Sequence, residues 1–231
     1  MNETEMSGGT TEVNLRQMKR KHVEGTSREA QKEAEMEYIQ YYESPLGKIL
    51  MSCDGKALSG LWFVDQKYYA ATLPEEYEEK STAVSDLTKK WLDIYFQGQE
   101  PDFTLPLHMK TTEFRKKVWE ILLTIPYGHT MTYGEIADRI AAEKGLPHMS
   151  AQAVGGAVGH NAISLIIPCH RVVGTDGSLT GYAGGIDRKV KLLTLERADM
   201  SFLFVPKKGT ALVAAGNNND SGRLKTGKMQ W

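Results

Sequence analysis

The sequence predicts an α+β fold, with a small N-terminal domain of antiparallel β-sheet and a helix, followed by a helical C-terminal domain. Short β-forming runs dominate residues 36–108, whereas apolar residues recur at helical spacing across residues 109–200. The composition agrees with this class, because 41% hydrophobic and 25% charged residues in a chain of 231 are typical of globular proteins. Collagen-like, coiled-coil and wholly disordered chains are therefore excluded.

The N-terminal domain is expected to begin with a β-hairpin. The runs KILMSC and KALSGLWFV flank Asp54 and Gly55, and an Asp-Gly pair is the strongest short-range signal for a two-residue hairpin turn. A helix should follow and end near Gly98. Its apolar positions at helical spacing are Val84, Leu87, Trp91, Ile94 and Tyr95.

The C-terminal domain is expected to open with a helix that stops before the breaker Pro126-Tyr127-Gly128. Its apolar stripe consists of Phe114, Val118, Ile121 and Leu122. The stripe covers one face at helical spacing, so this helix should pack against the rest of the domain.

Two further short helices, separated by Gly145-Leu146-Pro147, predict a helix-turn-helix of the winged-helix kind. Thr132 and Glu135 form a capping box that opens the first helix, and Ser150 can cap the second. The second helix, AQAVGGAVGH, has a nearly bare backbone, and each glycine inside it costs about 1 kcal/mol relative to alanine. A close partner is therefore expected there, either another helix or a nucleic-acid backbone.

The net charge of -1 conceals an uneven distribution along the chain. Residues 36–110 carry twelve acidic and seven basic residues. Residues 111–199 carry nine acidic and ten basic residues, and 200–231 carry one acidic and five basic residues. Any contact with DNA is therefore expected in the second half of the chain. The polar segments 1–35 and 206–231 are expected to be disordered.

The chain is expected to work in the cytoplasm, away from membranes. No apolar run approaches the ~18 residues that cross a bilayer. The first residues, MNETEMSGGTTEVN, lack the apolar core of a secretory signal. Two cysteines are too few for a disulfide framework or a four-cysteine zinc site, which fits a reducing compartment. No metal and no cofactor are expected.

Cys169 is the candidate reactive group. Pro168, Cys169 and His170 place a thiol next to an imidazole in a turn restricted by proline, and Arg171 follows. Cationic and polarising neighbours favour the thiolate, so a reactive thiol is one interpretation and a buried structural cysteine is the other. Cys53, in the hairpin, is expected to be a small buried hydrophobic residue.

The residues around Cys169 resemble the O6-alkylguanine-DNA alkyltransferases, or methylated-DNA–protein-cysteine methyltransferases. The sequence PCHRV at 168–172 is preceded by AVGGAVGHN and followed by GSLTGYAGG, and the resemblance covers about residues 38–200. It implies a ribonuclease-H-like domain over 36–108 and a DNA-binding, alkyl-accepting domain over 109–200. It also implies a monomer that transfers an alkyl group from O6-alkylguanine in double-stranded DNA to itself and is thereby inactivated. O4-alkylthymine is a second candidate substrate.

The resemblance implies catalytic roles for four residues. Cys169 would accept the alkyl group, and His170 would deprotonate it through a water molecule. Glu196 would orient that histidine, and Tyr133 would donate to the flipped guanine. The substrate- and DNA-binding residues that it implies are Gln152, Asn161, Arg171, Val172, Tyr182, Ala183 and Gly184.

Two positions depart from the family pattern. Gln152 stands where an arginine commonly replaces the flipped base, so it can fill the gap but brings no charge to the phosphates. Ala162 follows Asn161 where proline is frequent. Three other functions compete with the transferase: a non-catalytic protein that binds alkylated DNA, a Cys/His hydrolase, and a helix-turn-helix regulator. The reactive cysteine disfavours the first and the third, and the helix pair disfavours the second.

Overall fold

The computed structural model describes residues 36–206. The segments expected to be disordered, 1–35 and 206–231, lie outside this range except for Pro206. In the sheet region the order is β1 (Glu37–Ser44), β2 (Gly47–Cys53), β3 (Leu58–Phe63), β4 (Tyr77–Glu79) and α1 (Ala83–Phe96). There follow α2 (Glu113–Leu122), β5 (Met131–Thr132), α3 (Tyr133–Lys144), α4 (Ala151–Gly159), a 3₁₀ turn (Cys169–Arg171), β6 (Val172–Val173) and α5 (Ile186–Leu195). The predicted α+β class is confirmed.

The N-terminal sheet has the strand order β3-β2-β1-β4. The first three strands pair antiparallel, as predicted, but β4 pairs parallel to β1. Strand β4 has three residues, all exposed, so it carries no alternation that a sequence pattern could reveal.

The hairpin between β2 and β3 is present, but its loop holds four residues rather than two. The Asp54 carboxylate accepts hydrogen bonds from the backbone N–H groups of Lys56 (2.9 Å) and Ala57 (2.8 Å). Gly55 adopts a φ of +83°, which glycine reaches without steric cost. The aspartate side chain thus organises a wider turn than the Asp-Gly pair alone predicts.

Helix α1 begins at the capping box of Thr82 and Ser85 and ends before Gly98, as predicted. Its buried face packs against the sheet and includes Trp91 and Tyr95. The Tyr95 ring stacks on Trp91 with 5.1 Å between ring centroids. Tyr95 is wholly buried, so its hydroxyl needs a partner in the interior.

Helices α3 and α4 form the predicted helix-turn-helix. The capping box of Thr132 and Glu135 opens α3, and Gly145 closes it in a left-handed conformation. Ser150 caps α4 by accepting a hydrogen bond from the N–H of Ala153. Both helices therefore begin where local side-chain chemistry predicts.

Helix α4 has one packed side and one open side. Val154, Ala157 and Val158 are buried against α2 and α3, and the Trp119 indole donates to the Ala157 carbonyl at 2.9 Å. A Cβ added at Gly156 would meet no atom within 4 Å in residues 36–206. Other helices thus cover one side, while the Gly156 side faces solvent.

The sheet is joined directly to the segment that leads to Cys169. Leu61 in β3 donates its N–H to the Ala162 carbonyl at 2.8 Å and accepts from the Ser164 N–H at 2.9 Å. Strand β5 pairs parallel with β6, which places Tyr133 beside the residues that follow the cysteine. Among the helices of the described part, none is long and apolar enough to cross a membrane.

Candidate active site

Cys169 begins a 3₁₀ turn at the end of a buried segment. Residues 161–165, 167 and 168 are buried, and Leu165 adopts a φ of +70°, so the segment follows a path that an extended strand could not. Cys169 is 4% exposed. A reactant must therefore enter the protein to reach the sulfur.

Asn161 holds the cysteine turn together. Its side-chain nitrogen donates to the Ile167 carbonyl at 2.7 Å and lies 3.1 Å from the Cys169 sulfur. Its side-chain oxygen accepts from the Ile163 N–H at 3.0 Å. The amide thus closes the turn on both sides and points a donor at the thiol.

His170 and Glu196 form a buried pair. The histidine Nε2 lies 2.7 Å from Glu196 Oε1, and both side chains are fully buried. Burial lowers the pKa of His170, although Glu196 opposes this shift. Burial would raise the pKa of Glu196, but His170 and Arg171 outweigh it and hold that pKa well below its usual range. The pair is thus a neutral imidazole beside a carboxylate.

The Arg171 side chain is buried and turned into the protein. Its Nε and Nη2 atoms donate to Glu196 at 2.8 Å and 3.1 Å, and its Nη1 donates to the Ile125 carbonyl at 2.6 Å. These bonds engage three guanidinium nitrogens inside the protein, and the expected contact of Arg171 with substrate or DNA stays a prediction. The Arg171 charge stabilises the Glu196 carboxylate.

Lys189 is a site residue that the sequence interpretation missed. It is fully buried on α5, and its ammonium donates to the carbonyls of Val172 (2.5 Å) and Thr180 (2.7 Å). Burial lowers the pKa of Lys189 to about 7, against the opposing charge of Cys169. Lys189 sits four residues after Gly185, in a stretch whose sequence reads as an ordinary charged helix face.

The thiol is held neutral in the free protein. Burial raises the pKa of Cys169, while the Asn161 hydrogen bond and the Lys189 charge lower it in part. The sequence predicted that His170 and Arg171 would favour the thiolate. The structure instead turns Arg171 and the Nε2 edge of His170 toward Glu196, so Lys189 is the cation that acts on the thiol.

Tyr133 is placed next to the cysteine by the first turn of α3. Its hydroxyl donates to the Thr180 carbonyl at 3.2 Å. Burial raises the pKa of Tyr133, and ionisation of Cys169 would raise it further, so the phenol stays protonated. Gly181 has a φ of +70°, and a Cβ there would lie 2.7 Å from the Tyr133 hydroxyl. This glycine therefore lets the following loop approach the tyrosine.

The remaining expected residues lie around this centre. Val172 is buried beside the cysteine turn, and the buried ring of Tyr182 meets His170 edge-on at 6.4 Å. Ala183 accepts a hydrogen bond from the Lys67 N–H at 3.0 Å, so the N-terminal part supports the loop that contains Gly184. Gln152 is exposed on α4.

Two residues outside the cysteine motif complete the partners of Glu196. The Tyr95 hydroxyl donates to Oε1 at 2.7 Å, and the Gly128 N–H donates to Oε2 at 3.2 Å. Helical spacing had placed Tyr95 in the core, and a buried phenol usually finds a hydrogen-bond partner. This tendency was the signal in the sequence that Tyr95 has a polar partner, and it does not identify which residue that partner is.

Comparisons with known proteins agree with this architecture. The family model described as the 6-O-methylguanine DNA methyltransferase ribonuclease-like domain matches residues 38–109, and the one described as the DNA binding domain of that family matches residues 113–198. A methylated-DNA–protein-cysteine methyltransferase of Mycobacterium tuberculosis is 41% identical over 163 residues, which cover 71% of this chain and 94% of the relative. A methylated-DNA–protein-cysteine methyltransferase of Haemophilus influenzae is 39% identical, and the match covers 69% of this chain and 86% of that relative.

A solved structure matches as well. The crystal structure of Mycobacterium tuberculosis OGT in complex with DNA has a TM-score of 0.60 and 40% identity, and the match covers 70% of this chain and 92% of that one. Together the two family models cover more than half of the chain, and the curated relatives exceed 30% identity over most of their length. The chain therefore belongs to the 6-O-methylguanine DNA methyltransferase family.

Proposed function

We propose that the protein repairs DNA by moving the alkyl group of O6-alkylguanine, with O4-alkylthymine as a second substrate, onto its own Cys169. The observation that carries the proposal is a buried thiol beside the His170–Glu196 pair, within a chain of this family. Double-stranded DNA is the partner, and the free thiols Cys53 and Cys169 fit a cytoplasmic setting.

The reaction is a displacement at the alkyl carbon. The bond from sulfur to that carbon forms as its bond to guanine O6 breaks, and the thiol proton passes through a water molecule to the free nitrogen of His170. Tyr133 donates a proton to the departing guanine. Both side chains return to their initial protonation states when His170 releases a proton to solvent and Tyr133 takes one up. The thioether product has no easy reversal, so each molecule acts once.

Positioning supplies more of the rate than ionisation does. A free thiol with a pKa near 8.5 is about 7% ionised at pH 7.4, so full ionisation gains roughly fourteenfold. The rigid turn formed by Asn161 holds the sulfur in one place, and an aligned nucleophile can gain several orders of magnitude.

The burial of Cys169 demands that the target base leave the duplex. A sulfur that is 4% exposed cannot reach a base within the stack, so the nucleotide must rotate out at a cost of a few kcal/mol. We place the open side of α4, with Gln152 and Gly156, against the minor groove, where a slim helix fits best. Gln152 would fill the gap that the flipped base leaves.

A leucine in place of Gly156 tests this docking face. Because no atom of residues 36–206 lies within 4 Å of the added Cβ, the side chain should project into the groove and weaken duplex binding by about tenfold. The Gly156→Ala variant is the control, and its free energy of unfolding should rise by about 0.5–1 kcal/mol. Fluorescence anisotropy with a labelled duplex measures the affinity. An unchanged affinity for Gly156→Leu would place the DNA elsewhere.

Stoichiometry tests the function itself. With a tenfold excess of duplex that contains O6-methylguanine, repair should stop at one methyl group per protein molecule. A Cys/His hydrolase would continue to turn over. A lesion-binding protein would bind the duplex and repair none of it, and either result would overturn the proposal.

A further inference from the structure

Helix α1 brings a hydroxyl from the N-terminal part into the buried His170–Glu196 pair. The Tyr95 side chain is fully buried, held by Trp91 and by the Tyr127 ring at 6.1 Å. Its hydroxyl donates to Glu196 Oε1 at 2.7 Å and also lies 3.3 Å from His170 Nε2. The phenol therefore contacts both members of the pair at once.

The direction of the single phenol proton determines whether the Tyr95 oxygen acts as donor or acceptor toward His170 Nε2. Burial and the Glu196 charge raise the pKa of Tyr95 well above its ordinary value, so the phenol stays protonated and its proton points at the carboxylate. Only a lone pair of the phenol oxygen is then available to His170. Nε2 thus lies between two acceptors, Glu196 Oε1 at 2.7 Å and the Tyr95 oxygen at 3.3 Å.

A neutral imidazole between these acceptors must carry its proton on Nε2. Its other nitrogen, Nδ1, is then the one with a lone pair. Nδ1 is buried and has no hydrogen-bond partner in residues 36–206. The arrangement leaves Nδ1 as the basic atom of the site.

We propose that Tyr95 is a positioning residue that, together with Glu196, holds His170 in this tautomer and directs Nδ1 to receive the Cys169 proton. The consequence for the rate rests on the proposed function, whereas the tautomer itself does not. The charged and titratable groups that face His170 come from several elements. Tyr95 comes from α1, and Tyr182 comes from the loop before α5. Lys189 lies within α5 and Glu196 at its C-terminal end, and Cys169 and Arg171 belong to the same 3₁₀ turn as His170.

The Tyr95→Phe variant removes the hydroxyl and keeps the ring. The single-turnover rate at saturating duplex should fall about tenfold, because the imidazole loses one of the two contacts that hold Nδ1 toward the thiol, a loss on the order of one buried hydrogen bond. Glu196 would have one donor fewer and would stabilise the imidazolium better, so the acidic limb of the pH–rate profile should move to higher pH. DNA affinity should stay unchanged.

The matched control is Tyr42→Phe. Tyr42 also donates to a carboxylate of α1, with its hydroxyl 2.8 Å from Asp93 Oδ1, but this hydrogen bond is exposed to solvent. Its loss should leave both the rate and the pH profile as in the wild type. An equal change in both variants would reduce Tyr95 to a structural role and overturn the proposal.

Nitrogen-15 NMR of the free protein with labelled histidine tests the tautomer without any reaction. The chain has six histidines, and a His170→Gln variant identifies the signals of His170. The expected spectrum shows a protonated Nε2 whose proton exchanges slowly, and faster exchange in Tyr95→Phe. A proton on Nδ1 in the wild type would overturn the proposal, even if Tyr95→Phe failed to fold. If the wild type transfers no methyl group, the proposed function is wrong, but the inference about the tautomer is unaffected.

Discussion

A Cys169→Ser variant is expected to transfer no methyl group while it still binds the lesion duplex. Serine keeps the shape of the side chain, and Asn161 can still donate to its oxygen. A hydroxyl is a far weaker nucleophile than a thiol, so the single-turnover rate should fall at least about a thousandfold. Quenched-flow repair assays measure the rate, and anisotropy measures binding.

Cys53→Ser is the matched control for this loss. Cys53 is also buried, and its sulfur lies 3.1 Å from the Thr82 hydroxyl, which can pair with serine. This variant should still accept one methyl group per molecule. Transfer by Cys169→Ser at the wild-type rate would contradict the assignment of the nucleophile.

A Glu196→Gln variant should lose both stability and activity. The carboxylate accepts hydrogen bonds from four residues, and its loss leaves the Arg171 charge buried without an anionic partner. Breaking such a buried pair costs about 3–5 kcal/mol. His170 also loses the carboxylate that stabilises its imidazolium, so methyl transfer should slow by about a hundredfold or more. Denaturant unfolding and single-turnover rates measure the two effects.

The free energy of unfolding should depend on pH through the Glu196 carboxylate. Its pKa is lowered in the folded protein, so its contribution to stability is complete above the unfolded value of about 4.3 and is lost as the pH falls below it. The wild type should therefore lose stability steeply below about pH 4, whereas Glu196→Gln should have a shallower slope in that window. Equal slopes would show that the carboxylate is not stabilised in the fold.

Glu37→Gln separates a general loss of stability from a loss of activity. Glu37 is also buried, on β1 of the N-terminal sheet, and it pairs with Lys110 and with the Ser59 hydroxyl at 2.5 Å. Its replacement should destabilise the protein but leave the transfer rate of the folded protein unchanged. A hundredfold slower rate in this variant would mean that lost stability alone accounts for the Glu196→Gln result.

Local signals predicted most of the fold. The capping box at Thr132, the cap at Ser150 and the stop at Gly98 depend on neighbouring residues, so the sequence shows them directly. Strand β4 and the four-residue hairpin loop were missed for physical reasons. The strand is too short to show a period, and the loop is set by how Asp54 directs its carboxylate.

The site was less predictable, because sequence adjacency does not fix where a side chain points. The motif brought Cys169 and His170 together as neighbours, but only the fold shows that Arg171 turns to Glu196. Tyr95 lies 101 residues before Glu196, and Lys189 looks like any helix lysine until its burial is known. Contacts of this range depend on how the N-terminal part packs on the helices.

Intact-protein mass after incubation with a duplex that contains one O6-methylguanine tests the central claim most directly. We expect a gain of about 14 Da, the mass of one methyl group less one hydrogen, limited to one equivalent. Peptide mapping should locate it on the peptide that contains Cys169. An unchanged mass, or a methyl group on Cys53, would contradict the account.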